Sequence, residues 1–179
     1  MRGADKLLEP VGGQALLRHV AGVALAVGPV VVTLGGAARA AALAGMDVQI
    51  VQVTGDGMAA SLRAGVAALP PHHAVLVLLA DMPEVDTADL RAMIAAYRTA
   101  PDDIHRAVTR AGKPGHPVIF PPWARGDLLT LRGDTGAKPL LAAHTARVRP
   151  VILPDNHAIT DLDTPEDWAA WRATRNPAP

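Results

Sequence analysis

The sequence predicts an α/β fold in which a mostly parallel sheet is covered by helices on both faces. Segments of strand character alternate with segments of helical periodicity through the first hundred residues, the pattern of parallel strands joined by crossover helices. The run AVLVLLA, Ala74 to Ala80, is apolar at every position, as suits a strand covered on both faces in the middle of such a sheet.

The elements follow in order. From Gln14 to Ala26 the residues Leu16, Leu17, Val20, Val23, Ala24 and then Val27 recur at helical spacing, with Arg18 and His19 turned elsewhere, which describes a helix packed on a sheet. A strand is expected at Val30 to Leu34, then a helix at Ala37 to Ala44, a strand at Val48 to Val51 and a helix at Met58 to Leu69. A strand at Ala74 to Leu79 and a helix at Thr87 to Arg98 complete the regular part. Beyond Pro101, Arg106 to Arg110 and Pro117 to Phe120 are short strand candidates around GKPGHP, a hairpin or excursion. Helices around Trp123 to Leu131 and Ala137 to His144, a strand at Val148 to Leu153 and a helix at Pro165 to Arg172 close the chain, with the tail NPAP expected to fray. No repeat or linker interrupts the pass, and 179 residues suit one domain, 1–179.

Composition narrows function. Lys plus Arg and Asp plus Glu both number 17, which leaves no electrostatic footprint for tracking phosphates along nucleic acid. Aromatic residues make up 3%, too few for a base-stacking platform, and the core should consist of small side chains. There is no Cys, so disulfides, zinc-thiolate sites and thiol catalysis are excluded. Val20 to Ala38 carries no charge and approaches membrane-spanning length. Gly28 and Pro29 divide it and Gly35 and Gly36 end it, so it reads as a helix followed by a strand, and no membrane span is expected. The start, MRGADKLLEP, has acidic residues where a signal peptide would need an uninterrupted apolar segment, so export is not expected. A cytoplasmic protein is the expectation.

Ligands of open α/β sheets bind outside the carboxyl ends of the strands, so polar residues just after strands are the candidates. Asp81 follows the most apolar strand in LLADMP, and Pro83 prevents that strand from continuing; a turn aspartate satisfying backbone N–H groups is the competing reading. In DLDTPEDW, Thr164, Pro165 and Asp167 make a helix start. That leaves Asp161 and Asp163, which point the same way on an extended segment, to pair with Asp81 around a divalent ion such as Mg²⁺. Lys6 precedes a helix in a Gly-containing segment where an ammonium could meet a phosphate, or simply be solvated. Ser61 and Arg63 occupy the opening turns of a helix in GDGMAASLRAGV, with ordinary capping and a surface arginine as the alternative. GKPGHPVIF places Gly115, His116 and Pro117 where backbone must approach something closely, or in a tight hairpin. Gly133 to Gly136 form a polar turn suited to an anion and equally to a cap. None of the seven His residues has metal-ligand spacing, and His72 and His73 read as surface.

Taken together and in order, DKLLEPVGGQALLRHV, GMAASLRAGV, LLADMP, GHPVIF, GDTGAKPLL and DLDTPEDW resemble the MobA-like nucleotidyltransferase family, nearest its molybdenum cofactor cytidylyltransferase branch, over essentially the whole chain. The resemblance implies a Rossmann-like three-layer α/β/α nucleotidyltransferase fold. It also implies a reaction joining an NTP to a phosphorylated acceptor, such as the molybdopterin cofactor, with release of pyrophosphate. Lys6 would contact the triphosphate, Asp81 would hold Mg²⁺, and Asp161 or Asp163 would supply the second carboxylate. Ser61 and Arg63 would lie near the nucleotide, and Gly115 and His116 would line the acceptor side. KLLEP resembles cytidylyl-transferring members, which makes CTP the expected donor. A second copy of the chain or a molybdoenzyme stands open as a protein partner.

Members of that family open with a strand and a loop of the form LAAGxSxRM, whereas Met1 and Arg2 stand where the loop ends. The first strand and loop are therefore expected to be missing. Their loss would leave two strands roughly 9 to 10 Å apart, twice the usual spacing, or expose edges open to pairing, and a weak or inactive enzyme would result. Two other readings stand beside the cytidylyltransferase: a non-catalytic chaperone that holds a pterin cofactor or nucleotide, and a transferase acting on a sugar or alditol phosphate.

Overall fold

A turn held by an aspartate begins the fold: Asp5 accepts a hydrogen bond from the Leu7 N–H at 3.1 Å and caps the single 3₁₀ turn Lys6–Leu8. The structure is a computed structural model describing residues 5–54 and 57–175. Met1 and Arg2, Gly55 ahead of the third helix, and the tail from Asn176, all noted in the sequence, lie outside the described residues.

After the 3₁₀ turn, β1 (Pro10–Val11) and β2 (Gln14–Ala15) pair as a small hairpin. Gly12 and Gly13 make its turn at φ +57° and +82°, a region open to glycine at little cost. The first helix, α1 (Leu16–Leu25), therefore starts at Leu16 and not at Gln14 as its periodicity suggested. Its start is tied down by Leu16 N–H donating to the Glu9 carbonyl at 2.9 Å. Next come β3 (Val30–Leu34), α2 (Ala37–Ala42), β4 (Val48–Gln52), α3 (Met58–Ala68), β5 (Val75–Val77) and α4 (Thr87–Thr99). The second half holds β6 (Ile104–Val108), β7 (Pro114–Phe120), α5 (Arg125–Thr130), α6 (Lys138–Ala143), β8 (Val148–Ile152) and α7 (Pro165–Arg175).

Most differences from expectation have local causes. The strand expected at Arg106 to Arg110 lies two residues upstream because a turn opens at Thr109, whose N–H bonds Lys113 O at 2.9 Å and whose carbonyl takes Gly112 N–H at 2.8 Å. The strand expected at Ala74 to Leu79 is shortened to Val75–Val77. Its ladder with β7 ends at Val77↔Val118, and the residue that would face Leu78 is Pro117, which has no N–H to give. The helix expected at Trp123 to Leu131 opens as a 3₁₀ turn over Pro122–Ala124 before α5.

Parallel pairs β3–β4 and β6–β8 flank an antiparallel insertion, with β7 running opposite to both β5 and β6 in the order β5-β7-β6-β8. Side-chain alternation along β7 builds the two helical layers. Val118 and Phe120 pack with Ala59 and Val66 of α3 and Leu128 of α5, while Ile119 packs with Met93 of α4. The start of α4 is fixed by a capping box between Asp86 and Asp89, and the buried Asp89 carboxylate also binds His157 Nδ1 at 2.7 Å. Among the described residues β3 and β5 share no ladder. A cavity of about 600 Å³ lies between them, and Val30 to Thr33 and Leu76 to Leu79 are only half-buried. No helix among the described residues is long and apolar enough to cross a membrane.

Candidate active site

Asp81 stands just beyond β5, and its neighbours Met82 and Pro83 are buried, so the turn that carries it is anchored in the core. The Asp81 carbonyl accepts the Leu162 N–H at 3.3 Å, which fastens DLDTPEDW against it. Leu162 is buried beside Val11, Leu16 and the tryptophans of α7. Backbone alternation then leaves Asp161 and Asp163 both exposed. Thr164 and Asp167 form a reciprocal cap, with Thr164 N–H on Asp167 Oδ2 at 2.8 Å and Asp167 N–H on Thr164 Oγ1 at 3.1 Å. Capping thus consumes Thr164 and Asp167 and neither of the two upstream aspartates.

Lys6 draws the cluster together. Its ammonium donates to Asp81 Oδ2 at 2.6 Å and also to Asp163 Oδ1. Partial burial opposes the charge on Lys6, but the bonds to Asp163 and Asp81 outweigh it and raise its pKa above the ordinary lysine value. The other Asp81 oxygen, Oδ1, is buried without a hydrogen-bond partner, the kind of orphan that calls for an ion, a ligand or water. Asp161 makes no side-chain polar contact among the described residues. Of the residues singled out from sequence, the structure brings together Lys6, Asp81 and Asp163.

The others lie elsewhere or have structural work. His116 sits where Arg106, Asp81 and Lys138 all act on its charge; burial first, then the two cations, push its pKa below the usual histidine value against the pull of Asp81. The imidazole is therefore neutral near pH 7. Gly115 is explained by packing, since a Cβ there would overlap the Ala158 carbonyl oxygen, the same oxygen that accepts the His116 N–H at 2.9 Å. Ser61 lines the apolar cavity between β3 and β5, and Arg63 donates to the Leu131 carbonyl. Both lie on α3 and make no contact with Lys6, Asp81 or Asp163 among the described residues. The Gly133–Gly136 turn acts as a cap: Gly133 O accepts the Ala59 N–H at 3.3 Å, and Asp134 packs so closely on Gly57 that a Cβ there would overlap its carboxylate.

Sequence reasoning missed the supports of the site. Asp5 pairs with Arg39 Nε at 2.7 Å, Glu9 with Arg172 at 3.2 Å, and Glu84 accepts from both Thr160 and Trp171. No local signal marks such pairs, because the partners of Glu9 and Glu84 are distant in sequence. Asp5 is a cap by type, and its pairing with Arg39 holds its carboxyl below the usual range.

A lysine and two carboxylates thus gather beyond the end of a strand in a helix-covered α/β sheet, with one carboxylate oxygen left without a hydrogen-bond partner. The chain belongs to the MobA-like NTP transferase domain family, which it matches over residues 1–148. It is similar to Rv0371c of Mycobacterium tuberculosis H37Rv, at 32% identity and a TM-score of 0.82, covering 94% of this chain and 89% of that one. It is also similar to the manganese complex of Rv0371c, at 30% identity and a TM-score of 0.79, covering 92% and 89%. Among curated proteins it is similar to the bifunctional protein GlmU of Halorhodospira halophila, 39% identical over 105 residues, 53% of this chain and 21% of that protein. The chain thus spans about a fifth of the length of the curated relatives it matches.

Proposed function

We propose that this domain transfers a nucleotidyl group, CMP from CTP, to a phosphorylated small molecule of the molybdopterin type, releasing pyrophosphate. The observation that carries the reading is the convergence of Lys6, Asp81 and Asp163, with Asp81 Oδ1 buried and unpartnered. These residues fit a divalent cation, Mg²⁺ in the first instance: two carboxylates already share one cationic partner, and hard oxygen donors are what Mg²⁺ and Mn²⁺ take. That the similar Rv0371c forms a manganese complex supports a divalent ion as the cofactor. When bound, the cation offsets the negative charge that builds between donor and acceptor phosphates.

In this reading an acceptor phosphate oxygen forms a bond to the α-phosphorus of the NTP as the bond to the pyrophosphate oxygen breaks. Asp81 and Asp163 hold the cation, and Lys6 supplies a full positive charge for the triphosphate. Its raised pKa keeps it protonated throughout the neutral range. The neutral His116 presents a ring without net charge to the acceptor side, and Arg106 and Lys138 beside it supply the positive charge an incoming phosphate requires. Arg63 braces α3, on the nucleotide side, through its bond to Leu131.

Pyrophosphate release from CTP, GTP and ATP, with a pterin phosphate as acceptor and Mg²⁺ or Mn²⁺ present, tests the proposal. CTP should be preferred at least tenfold, and Asp81→Asn should abolish turnover. Equal use of the three nucleotides would remove the base assignment. Turnover undiminished in Asp81→Asn would remove the site.

A further inference from the structure

Among the described residues β4 pairs with β3 alone and β8 with β6 alone, so each leaves one edge without a ladder. The two edges differ in chemistry. β8 carries Arg149 and Pro150, a charge and a missing N–H of the kind that keep another strand from pairing. β4 reads VQIVQ and runs on into Val53 and Thr54 with no charge and no proline. Across residues 35–54 the charged residues are Arg39 and Asp47, and Arg39 is taken by Asp5. An uncharged edge of β-branched and amide residues is a template for pairing.

The backbone fixes which groups are open. Val53 N–H donates to the Leu34 carbonyl at 3.0 Å, so the peptide groups of Val53 face β3. These groups alternate sides along a strand. Gln49 and Val51 therefore also face β3, while Val48, Ile50 and Gln52 face outward, symmetrically about Ile50. A second copy running antiparallel across a two-fold axis at Ile50 sets Ile50 opposite Ile50 and Val48 opposite Gln52. All are hydrogen-bonded pairs, giving about six N–H···O bonds. The side chains agree with this register. Val48 packs against Leu17 and Leu43 on the side of α1 and α2, and Ile50, two residues on, shares that face but is 37% exposed. The axis covers one Ile50 with the other. A peptide of another protein could bond the same amides, but a second copy satisfies two open edges and two exposed isoleucines in one self-complementary contact. The formal net charge of zero puts no long-range repulsion in its way.

We propose that β4 is the interface of a two-fold dimer of this chain, paired antiparallel about Ile50. The contact closes on itself, since each copy offers one β4 edge and β8 is protected by Arg149 and Pro150. Because the paired stretch is short, the dimer forms at a dissociation constant on the order of 10 µM.

Sedimentation equilibrium of the native chain from roughly 1 to 100 µM should show the mass rising from one chain toward two. Ile50→Lys, which sets two ammonium groups at the axis, should weaken association about tenfold or more with the unfolding midpoint of the dilute protein unchanged. The native chain has no cysteine, so single cysteines report the register even where the lysine variant fails to fold. Ile50→Cys places two Cα atoms ~5.5 Å apart across the axis, within disulfide reach, and should give a cross-linked dimer under mild oxidation. Gln52→Cys places them roughly 14 Å apart and should not. A native chain that stays monomeric throughout would leave the edge to a different partner and overturn the proposal. So would association that Ile50→Lys leaves intact, or a disulfide formed as readily by Gln52→Cys as by Ile50→Cys. None of these readouts involves turnover, so the dimer and the nucleotidyl-transfer reading stand or fall separately.

Discussion

The Lys6 ammonium donates to Asp81 Oδ2 at 2.6 Å, while the other oxygen of that carboxylate is buried with nothing to bond. Lys6 thus occupies the place of a counter-ion, answering one oxygen of Asp81 and leaving the other unpartnered. A divalent ion at Oδ1 would share the carboxylate with Lys6 or displace it toward a bound phosphate.

Lys6→Met should therefore tighten divalent-ion binding while lowering turnover. Removing a positive charge this close to a partly solvated carboxylate pair should strengthen Mn²⁺ binding about tenfold, read by equilibrium dialysis. Turnover with CTP should fall on the order of a hundredfold, because the charge proposed to meet the triphosphate is gone. Weaker Mn²⁺ binding in the variant would mean that Lys6 helps hold the ion.

Gly115→Ala should destabilise the fold. The new methyl group would overlap the Ala158 carbonyl oxygen, and backbone on both sides of the contact leaves little room to yield. A loss of about 2 kcal/mol is expected, seen as a fall of several degrees in the unfolding midpoint. An unchanged midpoint would show that the Ala158 segment can move aside freely.

Stability should decline as pH falls below about 6.5, the unfolded histidine value. Burial and the cations Arg106 and Lys138 depress the folded pKa of His116, and burial likewise depresses that of His105. The folded state then binds fewer protons than the unfolded state, so the contribution of each imidazole is full above the unfolded pKa and is lost as pH drops through the folded one. His116→Gln should flatten the pH dependence of chemical denaturation between pH 7 and 5. An unchanged slope would assign the effect to His105.

Thr164→Ala should cost about 1 kcal/mol, the usual value of a helix N-cap. It should also loosen Asp163, which leads directly into that cap. Heteronuclear NMR would detect the change at Asp163 and Lys6 even where the midpoint shifts little. No change at Lys6 would separate the cap from the site.

Periodicity made the alternating first half of the fold readable, because strands such as Val30–Leu34 and helices such as Thr87–Thr99 carry their burial pattern in their own residues. Boundaries were lost where a neighbour decides them. Gly12 and Gly13 turn Gln14 and Ala15 into a hairpin arm, and Pro117 on β7 ends the ladder of β5. In the site, Asp81 was visible because it follows the most apolar run of the chain with a proline two residues on, and the two upstream aspartates of DLDTPEDW because Thr164 and Asp167 account for the cap without them. What local spacing could not reveal was which aspartate Lys6 would reach across 157 residues of chain. Nor could it reveal that Arg63 would be committed to Leu131 and Gly115 to Ala158.

The central claim is that Asp81 and Asp163 hold a divalent ion for an NTP. Calorimetric titration of Mn²⁺, with and without CTP, into the native chain and into Asp81→Asn, Asp163→Asn and Asp161→Asn tests it most directly. The account predicts one ion bound per chain, more tightly with CTP, with affinity lost on the order of a hundredfold in Asp81→Asn and Asp163→Asn and kept in Asp161→Asn. Equal binding in all four proteins would contradict it.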